Sequence, residues 1–383
     1  MSTKTDAKVE AIRSQLPAVH GKAYLNTGTN GPIPKVAADA MAEMARAEFE
    51  EGRINMAGWM AKFEVRDATR EIVAQAFDVP TSEIALTQLT TEGMNIMIHG
   101  IDWQRGDEVI ITNLEHPGGQ LPLYVVARRY GVRIKLADLG VGDGDVAGKI
   151  EKLIGKRTRA LIISHVAWNT GAVLPLKEIV VLVDGAQSAG HIDMKLHEVD
   201  ADGYAVPGQK WMCGPEGTGT LWVSESRLSL FEQTYVNYFN AMGGFDFAGG
   251  HFLPTPGAAR YDRIATYFPL IAGQKAATEW LVNEVGLDWA RTRIKALGEL
   301  AHDTLSNIDG VSVITPKTNM AGLVSFNLDG VTPDDLVKGL DERGFTLRTI
   351  HGPDCVRLAT GFYNTEEEIR DLGAAIEEIR KEN

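Results

Sequence analysis

Two side chains carry the strongest chemical hint in this 383-residue chain. Asp184 closes the apolar run VVLVD, where a carboxylate among apolar neighbours needs a cationic or proton-donating partner to stay charged. A protonated pyridine nitrogen is such a partner, and the pair keeps an aromatic ring electron-withdrawing. A helix N-cap after a strand is the competing role for Asp184. Lys210 follows on the next loop, in PGQKWMCGPEGTG. Its amine could form an imine with an aldehyde and later move a proton at a substrate carbon. A lone lysine reads as a surface residue; the Asp–Lys pair is the signal.

Other candidates group around that pair. Thr91 and Gly93 lie in LTTEGMNI, where hydroxyls and free N–H groups at a helix start suit a phosphate, with an ordinary Thr N-cap as the alternative. His116, in EHPG, could stack on a planar cofactor or be a satisfied loop histidine. Asn169 and Gln187 could donate to a phenolic oxygen or a substrate carboxylate. Arg357 offers the two-pronged fork that an amino-acid carboxylate requires, against the plain reading of a surface arginine.

The elements that must position these residues form an alternating pattern. Residues 64–77 read as an amphipathic helix. Ile84–Thr87, Glu108–Thr112, Val132–Ala137, Ala160–His165 and Val180–Asp184 read as strands with helical stretches between most of them. Apolar strands separated by helices imply a parallel sheet covered on both faces, with ligands at the carboxyl ends of its strands. After about residue 275 a helical pattern, a strand at GLVSFNL, a helix at 333–343 and a last helix from Thr365 predict a separate α+β part. The expected division is 25–270 for a large cofactor-binding domain and 1–24 plus 271–383 for a small one. The stretch 167–179 is barely long enough for a parallel crossover, which suggests a segment missing after Ile179.

Composition narrows the function classes. A formal charge of −13 argues against nucleic acid or anionic membranes as partners. Two cysteines, Cys213 and Cys355, make no disulfide framework and suit a reducing compartment. The start has no signal-peptide core and no apolar run reaches membrane-spanning length, so a cytoplasmic protein is expected. No dinucleotide-binding glycine motif, Walker loop, zinc-spaced His/Cys cluster or hydrolase elbow is present, and no metal is expected.

Taken in order, LTTEGMNI, GDEVIITNLEHPG, SHVAWNTGAVLPLKEI, VLVDGAQSAG, GQKWMCGPEGTGTLWV and VRLATGFYNTEEEI resemble the class V (fold type I) pyridoxal-phosphate family of cysteine desulfurases and their relatives. The likeness spans residues 24 to about 375. Within the family, YLNTGTNGPIP and LRTIHGPDCVRLA are similar to cysteine/cystine carbon–sulfur lyases. The resemblance implies an α/β fold with a mixed, mostly parallel sheet and a smaller α+β C-terminal domain. It also implies pyridoxal 5'-phosphate as cofactor, a small amino-acid substrate, and a homodimer with sites at the interface. Lys210 resembles the Schiff-base lysine and Asp184 the pyridinium partner. His116 would stack on the ring, with Gln187 and Asn169 near its phenolic oxygen. Thr91 and Gly93 would hold the phosphate, and Arg357, helped by Asn26, the substrate carboxylate.

Three departures stand out. Pro207 and Gln209 replace the hydroxyl and histidine that relatives place just before the lysine, so the phosphate cup is altered there and Gln209 takes the histidine's place. Thr266 corresponds to a hydroxyl that relatives supply from the partner subunit, with spacing off by about one residue. Relatives also carry a longer stretch where Ile179 meets Val180. The desulfurase branch uses a cysteine well upstream of the carboxylate-binding arginine, whereas LDERGFTLRTIHGPD has none, and Cys213 reads as a buried residue. β-Elimination on a cysteine-type substrate is therefore the first expectation. An epimerase or aminotransferase of the same family is the second, and a non-catalytic relative using the fold for binding the third.

Overall fold

The structure is a computed structural model that describes residues 2–53, 55–176, 181–199, 201–237, 239–263 and 266–382, with the side chains of 2–6 and 181 left aside. The short crossover around Ile179 and Val180 lies outside the described residues.

The chain opens with α1 (Ser2–Ser14), a two-residue strand β1 (Ala23–Tyr24), and the helices α2 (Lys35–Glu51) and α3 (Met56–Phe77). Then come β2 (Ile84–Thr87), α4 (Thr90–Gly100), β3 (Glu108–Thr112), α5 (Pro117–Tyr130), β4 (Arg133–Ala137), α6 (Val146–Glu151), β5 (Thr158–Ser164), β6 (Val181–Asp184), β7 (Ala201–Pro207) and β8 (Gly219–Trp222). These strands form one seven-stranded sheet in the order β2-β8-β7-β6-β5-β3-β4. All neighbours are parallel except at β8, which runs antiparallel to β2 and β7. The mixed, mostly parallel α/β sheet that the resemblance implies is present, and the parallel sheet read from the alternating pattern is interrupted only by β8. Its apolar strands are buried on both faces: Ile110, Leu161, Ile163 and Val183 in one cluster, Val109, Ile111, Ile162 and Leu182 in the other. Burial on both faces is why these strands read as continuous apolar runs.

Gly93 shows how closely the layers approach. A Cβ at this position would lie 2.6 Å from the Cβ of Ala205 on β7, so α4 lies against the sheet only because that atom is missing. Gly93→Ala is expected to cost about 1–3 kcal/mol through overpacking, read as a lower urea midpoint.

An exposed hairpin, β9 (Gly244–Asp246) and β10 (His251–Leu253), precedes α7 (Phe268–Trp280) and α8 (Leu287–Ser306). The remaining elements are β11 (Val311–Val313), β12 (Leu323–Leu328), α9 (Pro333–Asp341), β13 (Phe345–Thr346), β14 (Arg348–His351), β15 (Asp354–Ala359) and α10 (Glu366–Glu382). They make an antiparallel sheet ordered β11-β12-β15-β14, backed by helices. Its core, from Leu297 to Ile379, includes Ala23 and Leu25. The boundary anticipated at 270/271 falls within the first turn of α7, and α7 packs on α2 and α3, while the second core begins within α8. Likewise Ile12, Leu16 and Val19 join the large core rather than the small one. Tertiary packing, which sequence punctuation does not report, sets both edges.

Candidate active site

Asp184 ends β6 at the carboxyl edge of the sheet and is 3% exposed. One carboxylate oxygen accepts the Ala186 N–H at 2.9 Å, and Gly119 at the start of α5 leaves room beside the other. Burial pushes its carboxyl up, against the Ala186 bond and the positive charge of Lys210. Lys210 stands on the loop after β7. Burial lowers its amine to about 8, Arg357 and Arg348 push the same way, and Asp184 opposes them. The two residues singled out in the sequence thus share one electrostatic environment.

His116 caps α5, its Nδ1 accepting the Gly118 N–H at 3.0 Å. Burial first, then Lys210, Arg357 and Arg348, lowers the imidazole to about 4, so it is a neutral plate at physiological pH. Trp168 meets it edge-on, with ring centroids 5.0 Å apart. Thr91 lies at the start of α4 against the same loop, its hydroxyl 2.5 Å from where a Gly118 Cβ would be. The opening N–H groups of α4 have no acceptor within the helix, which places an anion-favouring end here. Gly93 gives its own N–H to Leu89, so what the structure assigns to it is the close approach to β7.

Gln187 is more occupied than its sequence position suggests. Its amide donates to the Gly28 carbonyl and accepts the Trp211 indole N–H, both at 2.8 Å. It therefore ties the lysine loop to the segment before α2. Trp211 in turn stacks flat on His191 at 3.7 Å, and His191 accepts the Gly322 N–H next to β12. Asn169, buried on the loop after β5, holds Ser325 through its backbone carbonyl and leaves its side-chain oxygen unpartnered.

Arg357, on β15, is 1% exposed and donates to the Trp168 carbonyl at 2.7 Å and to the Thr29 hydroxyl at 3.2 Å. Directly opposite it across the β14–β15 ladder stands Arg348, which donates to the same Thr29 hydroxyl at 3.2 Å. Like charges facing each other across strands are destabilising. Among the described residues no carboxylate pairs with either, and burial together with Arg348 lowers Arg357 to about 9. Asn26 reaches the pair through Thr29, accepting its hydroxyl at 2.7 Å. Arg348 and Thr29 were missed in the sequence; the spacing of Arg348 and Arg357 around the HGPD turn was the available signal.

The other flagged residues lie further off. Thr266 lines a separate 470 Å³ cavity between α3 and the segment around Arg263 and Tyr267, which includes none of Lys210, Asp184 and His116. Gln209 fixes Gly31 through its backbone carbonyl. Both cysteines are fully buried, with thiols pushed up by burial to about 12 for Cys213 and about 11 for Cys355.

Residues 24–372 match the class V aminotransferase family. The chain belongs to that family. Class V relatives that it resembles include a probable cysteine desulfurase of Methanothermobacter thermautotrophicus, 28% identical over 97% of this chain and 98% of the relative. The isopenicillin N epimerase of Streptomyces clavuligerus is 27% identical over 94% and 95%. Among solved structures, a C-DES mutant with glycine covalently linked to its pyridoxal-phosphate cofactor superposes with a TM-score of 0.90, at 31% identity over 95% of this chain and 98% of that one. The cystine C–S lyase C-DES in complex with its reaction product, cysteine persulfide, gives 0.89 at 31% identity over 95% and 99%. The class V site in this chain also fits pyridoxal phosphate by its own chemistry. Buried side-chain atoms of Thr90, Asn169, Gln209 and Arg357 have no hydrogen-bond partner, and the buried Asp184 carboxylate is suited to pairing with a protonated ring nitrogen.

Proposed function

We propose that this class V enzyme catalyses pyridoxal-phosphate-dependent β-elimination on a cysteine-type substrate with a second carboxylate, cystine above all. The products are pyruvate, ammonia and a thiol or persulfide. The observation that carries this reading is the Arg348–Arg357 pair, two guanidinium groups converging on Thr29 with no carboxylate of their own among the described residues.

Pyridoxal phosphate, when bound, supplies an aldehyde that joins amines and a protonated ring that draws electrons from the substrate's α-carbon. Lys210 would hold the cofactor through that aldehyde. Its amine, lowered to about 8, then takes the α-proton. Asp184 would favour a proton on the ring nitrogen, and neutral His116 would pack against the ring. Thr91 and the start of α4 would hold the phosphate, with Gln209 beside them at the place where a relative has histidine. Arg357 takes the α-carboxylate, Arg348 the distal one, and Asn169 donates beside them. As the α C–H bond breaks, its electron pair expels sulfur from the β-carbon, and one water hydrolyses the remaining enamine to pyruvate and ammonia. A sulfur-relaying nucleophile has no place in this arrangement. Neither thiol is exposed, and β14 joins β15 through the two-residue turn Gly352-Pro353, without a loop to carry one.

Purified protein with cystine and pyridoxal phosphate should release pyruvate; none with any of a range of β-thio amino acids would overturn the reading. Exchange of the α-hydrogen without pyruvate would point instead to epimerisation, an activity named among its class V relatives. Arg348→Met separates substrates. The kcat/KM for cystine is expected to fall about 10–100-fold, from loss of a charged hydrogen bond, while that for cysteine changes less than about threefold.

The same reading includes a homodimer, supported by the exposed Phe247, Met56, Trp59 and Tyr267 around the hairpin and the Thr266 cavity. Light scattering at the mass of a single chain would exclude it. Among the described residues no helix is long and apolar enough to cross a membrane.

A further inference from the structure

Glu115 precedes His116 on the loop after β3, yet it is 3% exposed. Its Oε1 accepts the Thr112 hydroxyl at 2.6 Å and its Oε2 the Ser164 hydroxyl at 2.8 Å. Ser164 on β5 is the register partner of Asp184 on β6. Partners in a parallel ladder send their side chains to the same face, so Glu115 and Asp184 are neighbours above the same sheet edge. Here are two buried carboxylates, and no lysine or arginine bonds either among the described residues.

Burying one carboxylate without a cation is costly, and burying two together is costlier. If Glu115 served only to tie Thr112 to Ser164, a neutral amide would do so without that cost. A single buried positive charge close to Asp184 offsets both. We propose that Glu115 is a positioning residue for the cofactor's ring nitrogen: a second carboxylate, fixed over β3 and β5, whose field adds to that of Asp184 and holds the ring proton. This rests on the assignment of pyridoxal phosphate to the site above. Among titratable side chains, Asp184 from β6 is the one whose charge Glu115 feels, while β3 and β5 present hydroxyls. Burial, aided by Asp184, pushes the Glu115 carboxyl up to about 7 against the pull of those hydroxyls. Its field is therefore fullest above neutral pH.

The test uses the full-length protein loaded with pyridoxal phosphate carrying ¹⁵N in the ring, and follows the nitrogen shift against pH upward from pH 7.5. In Glu115→Gln the midpoint for loss of the ring proton is expected about one pH unit below wild type. The cofactor's Kd should rise about tenfold at pH 8, with the thermal midpoint of the apoprotein not lowered. A wild-type titration curve in Glu115→Gln overturns the proposal. Should that variant not fold, Thr112→Val with Ser164→Ala removes both donors and leaves the carboxyl protonated. The same downward shift is then expected, and its absence is equally fatal. Failure of wild type to bind the labelled cofactor at all would overturn the cofactor assignment itself, a different outcome.

Discussion

Lys210→Ala, loaded with pyridoxal phosphate, is expected to hold no cofactor after borohydride reduction and to release pyruvate from cystine at least about 10³-fold more slowly than wild type. The magnitude follows from losing the covalent tether and the α-proton acceptor in one change. A surface lysine would lose nothing, but this one is half-buried near Asp184, Arg357 and Arg348, a setting that lowers its amine to about 8. That value adds a pH signature. Raising the pH through it frees the amine, so capture of the cofactor by the apoprotein should speed up about tenfold per unit below pH 8 and level off above. Stopped-flow absorbance measures this. A flat profile between pH 6.5 and 9 would contradict the role given to Lys210.

Asp184→Asn is expected to lower kcat/KM about 10²–10⁴-fold, the 3–5 kcal/mol range for removing one member of a buried ion pair. The same change should raise, not lower, the thermal midpoint of the cofactor-free protein. The sign follows from linkage: burial raises the folded-state pKa of Asp184 above its ordinary value. Its charge therefore opposes folding at neutral pH, and that penalty is relieved as pH falls through the raised pKa. Asparagine keeps the Ala186 hydrogen bond and drops the charge, trading function for stability. Calorimetry of apoprotein and holoprotein side by side separates the effects. An Asn variant with wild-type turnover would remove Asp184 from the mechanism.

The sheet and the positions of Lys210, Asp184, His116 and Thr91 were legible in the sequence because each sits at a strand end, and strand ends of a parallel sheet converge by construction. Arg348 was not, because its meaning comes from standing opposite Arg357, and register across a ladder is a property of the fold. Glu115 was hidden for the opposite reason: a charged residue in a loop reads as solvated, and only Ser164 on another strand reveals that it is buried. Gln187 reads in the sequence as a free side-chain donor, but its partners Gly28 and Trp211 come from distant segments. The edges of the two cores are not marked by punctuation in the sequence: α7 follows a proline-rich stretch yet returns to α2 and α3.

The tight connection between β14 and β15 has a further consequence. With no flexible strap bearing a thiol, the polypeptide offers nowhere to park an atom of sulfur between turnovers. Under the proposed chemistry, sulfur leaves as part of a small diffusible molecule. Whatever takes it up must either catch that molecule in solution or bring its own acceptor group to the mouth of the enzyme.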